Sequence, residues 1–343
     1  MSLRQLNVER TTVLAAAMFL VILTLAPENS MAQQAQPMSE ISLSSSSLGA
    51  TSLSASSTDA MATDATAGTG SSSTGMGPEA VAFDGTYVWV ATQFNNSVTR
   101  MRASDGAISG TFAVGKRPVA LLYAGSYLWV ANLLNNNVMK LNPGTGAIVS
   151  TYAVGEGPGG LAYDGANIWV ANRNSNTVMK LRASDGSKLG TFAVGKRPMG
   201  LAYQGGNIWV ANNFSNTVTK LSGAGAVLGT FAVGHGPFAI ASEGTNVWVT
   251  NYFGKTLTKL QASDGINLGT FKVGDGAAGI LFDGASLWVV NNGDNTVMKV
   301  SPSDGLVLNT FATGKGPFSV AFDGARIWVP NFSSNSVSTA AVN

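Results

Sequence analysis

The sequence predicts an all-β protein, a seven-bladed β-propeller of four-stranded antiparallel blades, and three observations carry that expectation. First, seven tryptophans stand at Trp89, Trp129, Trp169, Trp209, Trp248, Trp288 and Trp328, spaced 40 residues apart with one interval of 39, and the chain has no other. A fixed period near 40 means one small unit copied along the chain. Second, each unit divides into short apolar runs separated by turn residues. Third, no run has the length or the 3.6-residue period of a helix.

Residues 157–195 illustrate the unit. Its apolar runs are Gly160–Tyr163, Asn167–Ala171, Thr177–Leu181 and Leu189–Val194. Asp164-Gly165, Asn174-Ser175-Asn176 and Asp185-Gly186 separate them. Asp-Gly between apolar runs favours tight hairpins, because such turns need positive φ. The unit is therefore a meander with two apolar faces. Seven meanders stacked around an axis bury both faces, and the ring closes. A parallel β-helix would need parallel coils, whereas these turns demand strands running up and down.

The tryptophan lies in the second strand. Trp169 and Ala171 point to one face, Ile168, Val170 and Asn172 to the other. A large aromatic beside a small residue suits packing between blades rather than stacking on a cofactor. The strand ends at Thr92, Asn132, Asn172, Asn212, Asn251, Asn291 or Asn331, where an amide is expected to satisfy backbone groups.

The chain divides into three parts. Residues 1–32 read as a signal peptide: Arg4 and Arg10, an apolar run from Thr12 to Leu25, and small residues at Ser30 and Ala32 for cleavage. The run is shorter than the ~20 residues a spanning helix needs. Residues 33–76 are rich in Ser, Thr, Ala and Gly and read as a flexible linker. Residues 77–343 hold the seven units. The last unit ends after its third strand, and Thr69–Thr74 stands at fourth-strand spacing upstream of the first unit. That stretch is expected to pair there and close the ring.

Composition narrows the function classes. Only 11% of residues are charged, and the net charge of +2 gives no pull toward nucleic acid. No cysteine is present, which excludes disulfides, thiolate metal sites and a thiol nucleophile. Gly155-Glu156-Gly157-Pro158-Gly159-Gly160 matches G-x-G-x-x-G but leads into a strand, so no dinucleotide site is expected.

Strand direction sorts the loops. The Gly-x-x-Pro connectors between units share one face with the loops between second and third strands. That face carries Lys116, Arg117, Arg173, Lys196, Arg197, Lys255, Lys315 and His235. Its acids are Glu79, Glu156, Asp275 and Asp294, and its apolar residues include Phe94, Leu133, Leu134, Phe214, Tyr252, Phe253 and Phe332. These positions vary from unit to unit while the scaffold repeats. Arginines and aromatics mixed on loops suit a binding surface, although they could equally cover loop backbone. The opposite face carries Asp84, Asp164, Glu243, Asp283 and Asp323 at the channel mouth. Hard cations take such oxygens, but Ala124 and Gln204 interrupt the ring and the turns themselves call for Asp, so no metal is expected. The third-strand cations Arg100, Lys140, Lys180, Lys220, Lys259 and Lys299 end nearby and are expected to pair with these acids between blades.

The segment Trp248-Val249-Thr250-Asn251, with the repeated W-V-A-N followed by N-T-V-x-K-L and S-D-G, resembles the YVTN/NHL-type bacterial propellers. The wider group includes the streptogramin lyase-like proteins. The resemblance implies secreted or surface propellers, many of them binding modules. The lyase-like enzymes use histidine, glutamate and a magnesium ion at a propeller face. Here His235 is the only histidine, in a connector slot that elsewhere holds Lys, Glu or Asp.

The expectation is an exported, periplasmic or extracellular monomer that binds a protein, a peptide or a cell-envelope polymer without a cofactor. No membrane span is expected after signal cleavage. The alternatives are a lyase or hydrolase with His235 as base, and a tethered structural surface protein.

Overall fold

Each repeat folds as its turns dictate. Blade three consists of Pro158–Tyr163, Asn167–Asn172, Thr177–Arg182 and Lys188–Ala193, paired antiparallel in that order. Gly165 and Gly186 sit at φ 97° and 74°, backbone that a side chain would strain. The structure, a computed structural model, describes residues 35–42 and 75–342 and contains seven such sheets. The signal segment, its cleavage site and most of the linker, Thr69–Thr74 included, lie outside the described residues.

All seven tryptophans are fully buried. Trp169 packs with Ala162, Ala171 and Val178 against Leu201, Ile208, Val210 and Leu221 of the next blade, and six further seams repeat the arrangement. In six blades the indole also meets a fourth-strand Phe or Tyr at 5.4–5.8 Å between centroids. Truncating one such indole to alanine would cost about 3–5 kcal/mol.

Two expectations about polar groups are corrected. The strand-end amides bond third-strand side chains rather than backbone. Asn212 Nδ2 donates to Thr219 Oγ1 at 2.8 Å, Asn251 to Thr258 at 2.9 Å and Asn331 to Ser338 at 2.8 Å. A connector glycine lies flat on each amide: a Cβ on Gly155 would come within 2.7 Å of Asn172. The third-strand cations reach across the seam to turn carbonyls of the next blade instead of to acids. Lys140 Nζ bonds Ala183 O at 2.8 Å, Lys220 bonds Ala262 O and Ser263 O at 2.8 Å, and Lys259 bonds Pro302 O at 2.7 Å. On the way each cation lies over its own blade's indole, 5.0–5.3 Å from the centroid. Lys180 also pairs with an acid, Asp164 of its own blade, at 3.8 Å.

A second set of asparagines latches the blades. Asn96, Asn136, Asn176, Asn216 and Asn295 sit at positive φ, and each Oδ1 accepts from an N–H of the following connector at 2.8–2.9 Å. Asn335 does the same for Gly77 and so joins blade seven to blade one. Lys255 replaces the asparagine once, and there an ion pair to Asp275 at 2.7 Å spans the seam.

The ring closes by a strand from the presumed linker. Ser39–Ser42 pairs antiparallel with Ser336–Ala341 and supplies the fourth strand of blade seven. Ile41 lies opposite Val337, the register position of Phe192 opposite Val178 in blade three. It tucks against Gly106 as Phe112 tucks against Gly146. Just before it, Gln36–Pro37 runs parallel to the edge of blade six, and Met38 enters the seam with Trp288. The closing residues are thus about thirty positions earlier than the sequence suggested, and Gln36–Pro37 and Ser39–Ser42 are strand rather than linker.

Candidate functional site

Loop side chains on the connector face turn inward over the connectors, because five of the seven carry glycine two residues into the loop. Gly77, Gly157, Gly236, Gly276 and Gly316 have φ between 62° and 69°. Phe94 and Phe332 lie on Gly77, and Phe253 lies on Gly236. At the remaining two connectors the same left-handed position holds Arg117, at φ 59°, and Arg197, at φ 54°. A side-chain residue there carries about 1–2 kcal/mol of backbone strain.

These two arginines flank a third. Arg173 lies over Gly159, whose absent Cβ leaves 3.3 Å to the Arg173 side chain. All three are half-buried, and among the described residues none forms an ion pair. Arg117 Nε is buried without a partner. Burial pulls Arg173 down to about 10, with Glu79 opposing the shift and Arg197 and Arg117 adding to it. At neutral pH it stays charged. Burial also lowers Arg197.

Glu79 faces this group from the first strand of blade one. The residue as a whole is half-buried, but protein encloses its carboxyl. Burial pushes it up to about 7 against the pull of Arg173, Arg117 and Gln93. Gln93 is 3% exposed and donates its amide to Glu79, while its Oε1 has no partner.

A chain of aromatic rings occupies the connectors, loops and strand ends of blades five, seven and one. Phe94 meets Phe332 at 5.4 Å, Phe332 meets Phe318 at 5.9 Å, and Phe318 meets Phe238 at 6.1 Å. Phe238 then meets Tyr252 at 5.7 Å, Tyr252 meets Phe253 at 5.2 Å, and Phe253 meets His235 at 5.3 Å. Phe94 and Phe253 remain exposed. Phe214 stands apart from this crescent, 4.5 Å beneath the Arg197 guanidinium. Lys116 and Lys196 are exposed at the rim beside the arginines. On the far rim Asp275 is held by Lys255, and its N–H donates to Asp294 at 2.7 Å. The free cationic side therefore lies on blades two to four.

Sequence reasoning placed the arginines and outer aromatics on one face but missed Phe238 and Phe318, and it listed Glu79 without its partners. The signal was available. The residue after the connector proline or its equivalent is Glu79, Val119, Gly159, Met199, Phe238, Ala278 or Phe318, a variable position inside a repeated frame.

The acids of the opposite face are structural. Asp84, Asp164, Asp283 and Asp323 accept from the indole Nε1 of their own blades at 2.6–2.8 Å, and Glu243 does so at 3.1 Å. Burial alone would raise Asp164, Asp283 and Asp323, but indole and turn N–H donors outweigh it and hold them below the usual range. Trp129 uses Ala124 O instead, and Trp209 Nε1 is left without a partner in the unit where Gln204 stands at the acid's position. Among the described residues no three His, Asp or Glu side chains gather where a metal could be held. The donor set thus does not fit the magnesium site that the lyase-like resemblance implies. His235 is exposed at the rim and forms no ion pair.

Among the described residues no helix is long and apolar enough to cross a membrane. Neither a protein-family model nor a curated relative matches the chain. Solved structures do. A catalytically inactive virginiamycin B lyase from Staphylococcus aureus with quinupristin superposes with a TM-score of 0.70 at 17% identity, covering 79% of this chain and 96% of that one. Kuenenia stuttgartiensis hydrazine synthase gives 0.68 at 18%, covering 78% and 96%. A chain of the mitotic checkpoint complex gives 0.70 at 16%, covering 77% and 89%. At these identities the likeness is one of fold: the chain is a seven-bladed β-propeller similar in architecture to the streptogramin B lyases.

Proposed function

We propose that this chain is an exported, non-catalytic propeller that binds a partner through its connector face. One observation carries the reading. Within a frame repeated seven times, the variable loop positions bring unpaired arginines and a continuous aromatic crescent together at one mouth of the channel. Arginine and exposed aromatics are the residues that anchor protein interfaces. Structural neighbours as different as a lyase and a checkpoint complex indicate that the fold alone selects no chemistry. The apolar N-terminal run with its basic start supports export.

Replacing Arg117 and Arg197 with glycine and Phe253 with alanine together should abolish capture of a partner without lowering thermal stability. Capture undiminished in that variant overturns the reading. Export is checked by the mass of the mature protein in fractionated cells, which should begin after Ala32.

A further inference from the structure

We propose that the connector face captures an extended acidic peptide, a carboxylate side chain entering between Arg117, Arg173 and Arg197 while neighbouring residues lie along the aromatic crescent. The proposal rests on the binding reading above and names the ligand for it.

Four observations support it. Three half-buried cations share the site, Glu79 acts on two of them, Arg173 and Arg117, and it pairs with none of the three within ion-pair distance. Two of them occupy left-handed backbone where five other connectors use glycine. Strain of that kind persists where surrounding structure holds it in place, and it gathers at ligand-binding sites. Buried donor and acceptor capacity stands unused at Arg117 Nε and Gln93 Oε1. Finally, the crescent from Phe94 to His235 advances by six ring contacts of 5.2–6.1 Å. Such a contour suits a peptide of roughly nine or ten extended residues at ~3.4 Å each. It exceeds what a single small carboxylate would cover. Guanidinium groups hold carboxylates in paired hydrogen bonds, which sets the choice of anion.

Glu79 is the internal competitor. The charged groups facing it are Arg173 and Arg117, with Gln93 bonded to it, and Arg197 acts on Arg173 in turn. An arriving carboxylate repels ionised Glu79 and tolerates the neutral acid, so binding takes up a proton. Affinity should therefore rise as the pH falls from 8 to 6.

The test pans a library of random ten-residue peptides on the intact chain at pH 6. Wild type should retain peptides with Asp or Glu beside aromatic or aliphatic residues, and R117G/R197G should bind them at least tenfold more weakly. Glycine keeps the backbone that the connector needs. The selected peptide should bind wild type about tenfold more tightly at pH 6 than at pH 8, whereas Glu79→Gln should bind equally at both. Retained peptides without acids, lost on F94A/F253A but indifferent to R117G/R197G, would overturn the acidic-ligand proposal and leave the binding face standing. Retention of no peptide would overturn both. A pH dependence that survives in Glu79→Gln would remove Glu79 from the account.

Discussion

At the scale of single residues, the propeller pairs polar groups closely and leaves a few of them uncoupled. Five indoles donate to a carboxylate of their own blade, while Trp209 Nε1, in the unit that carries Gln204 at the acid's position, has no acceptor. Gln204→Asp should supply it and raise stability by about 1–2 kcal/mol, the penalty of a buried unsatisfied donor. Urea unfolding checks this, and an unchanged midpoint would count against it. Arg117 and Arg197 test the reverse case. Left-handed backbone costs a side-chain residue about 1–2 kcal/mol, and glycine returns roughly 0.5–1 of that through the entropy of the unfolded chain. R117G/R197G should therefore be as stable as wild type or more so by up to ~2 kcal/mol. A clear loss of stability would mean that these arginines are structural. Much at this scale was legible in the sequence: the seven tryptophans, the Asp-Gly turns and the variable loop positions. Hydrogen-bond partners were not. The lysines looked like partners for the acids, but the acids serve the indoles and the lysines serve turn carbonyls, and only geometry separates those choices.

At the scale of elements, the repeat could be read almost strand by strand, because period-two patterning and turn chemistry agree in every unit. The closing strand could not. Ser39–Ser42 contributes one large apolar side chain, Ile41, and otherwise pairs by backbone, so a serine-rich stretch hid it. Counting back from the connector pointed to Thr69–Thr74 because it assumed that the closing strand abuts its neighbour in sequence. Ile41 now makes a sharp prediction. It fills the place that Phe or Tyr fills in six other blades and leaves Gly106 no room for a Cβ. Ile41→Ala should cost about 2–4 kcal/mol. Ile41→Asp should unpair the strand and expose the edge of Ser336–Ala341, seen as self-association by size-exclusion chromatography. Wild-type stability and size in both variants would show that closure does not depend on this side chain.

At the scale of the whole molecule, the connector face sets one enclosed acid among half-buried arginines. Glu79 titrates near 7 in the folded chain against a reference of 4.5. The folded state therefore holds more protons than the unfolded state between those values, and stability falls as pH rises from about 4.5 to about 7. The contribution is of order 2–3 kcal/mol. Glu79→Gln should flatten that slope and be the more stable protein at pH 8, as thermal unfolding across pH would show. A slope unaltered by the substitution would place the titrating group elsewhere. The crescent of rings was only half visible in the sequence, since Phe238 and Phe318 sit in strands and meet solely because the ring brings blades five and seven together at its axis.

The ring's fastener has a bearing on biosynthesis. Ser39–Ser42 leaves the ribosome long before Ser336–Ala341. Six blades can assemble as they emerge, but the clasp has nothing to grip until Ser336–Ala341 has emerged. Every newly made molecule therefore passes through an unclasped stage, and the time from the emergence of that strand to clasping sets how long its raw edge is open to a neighbour.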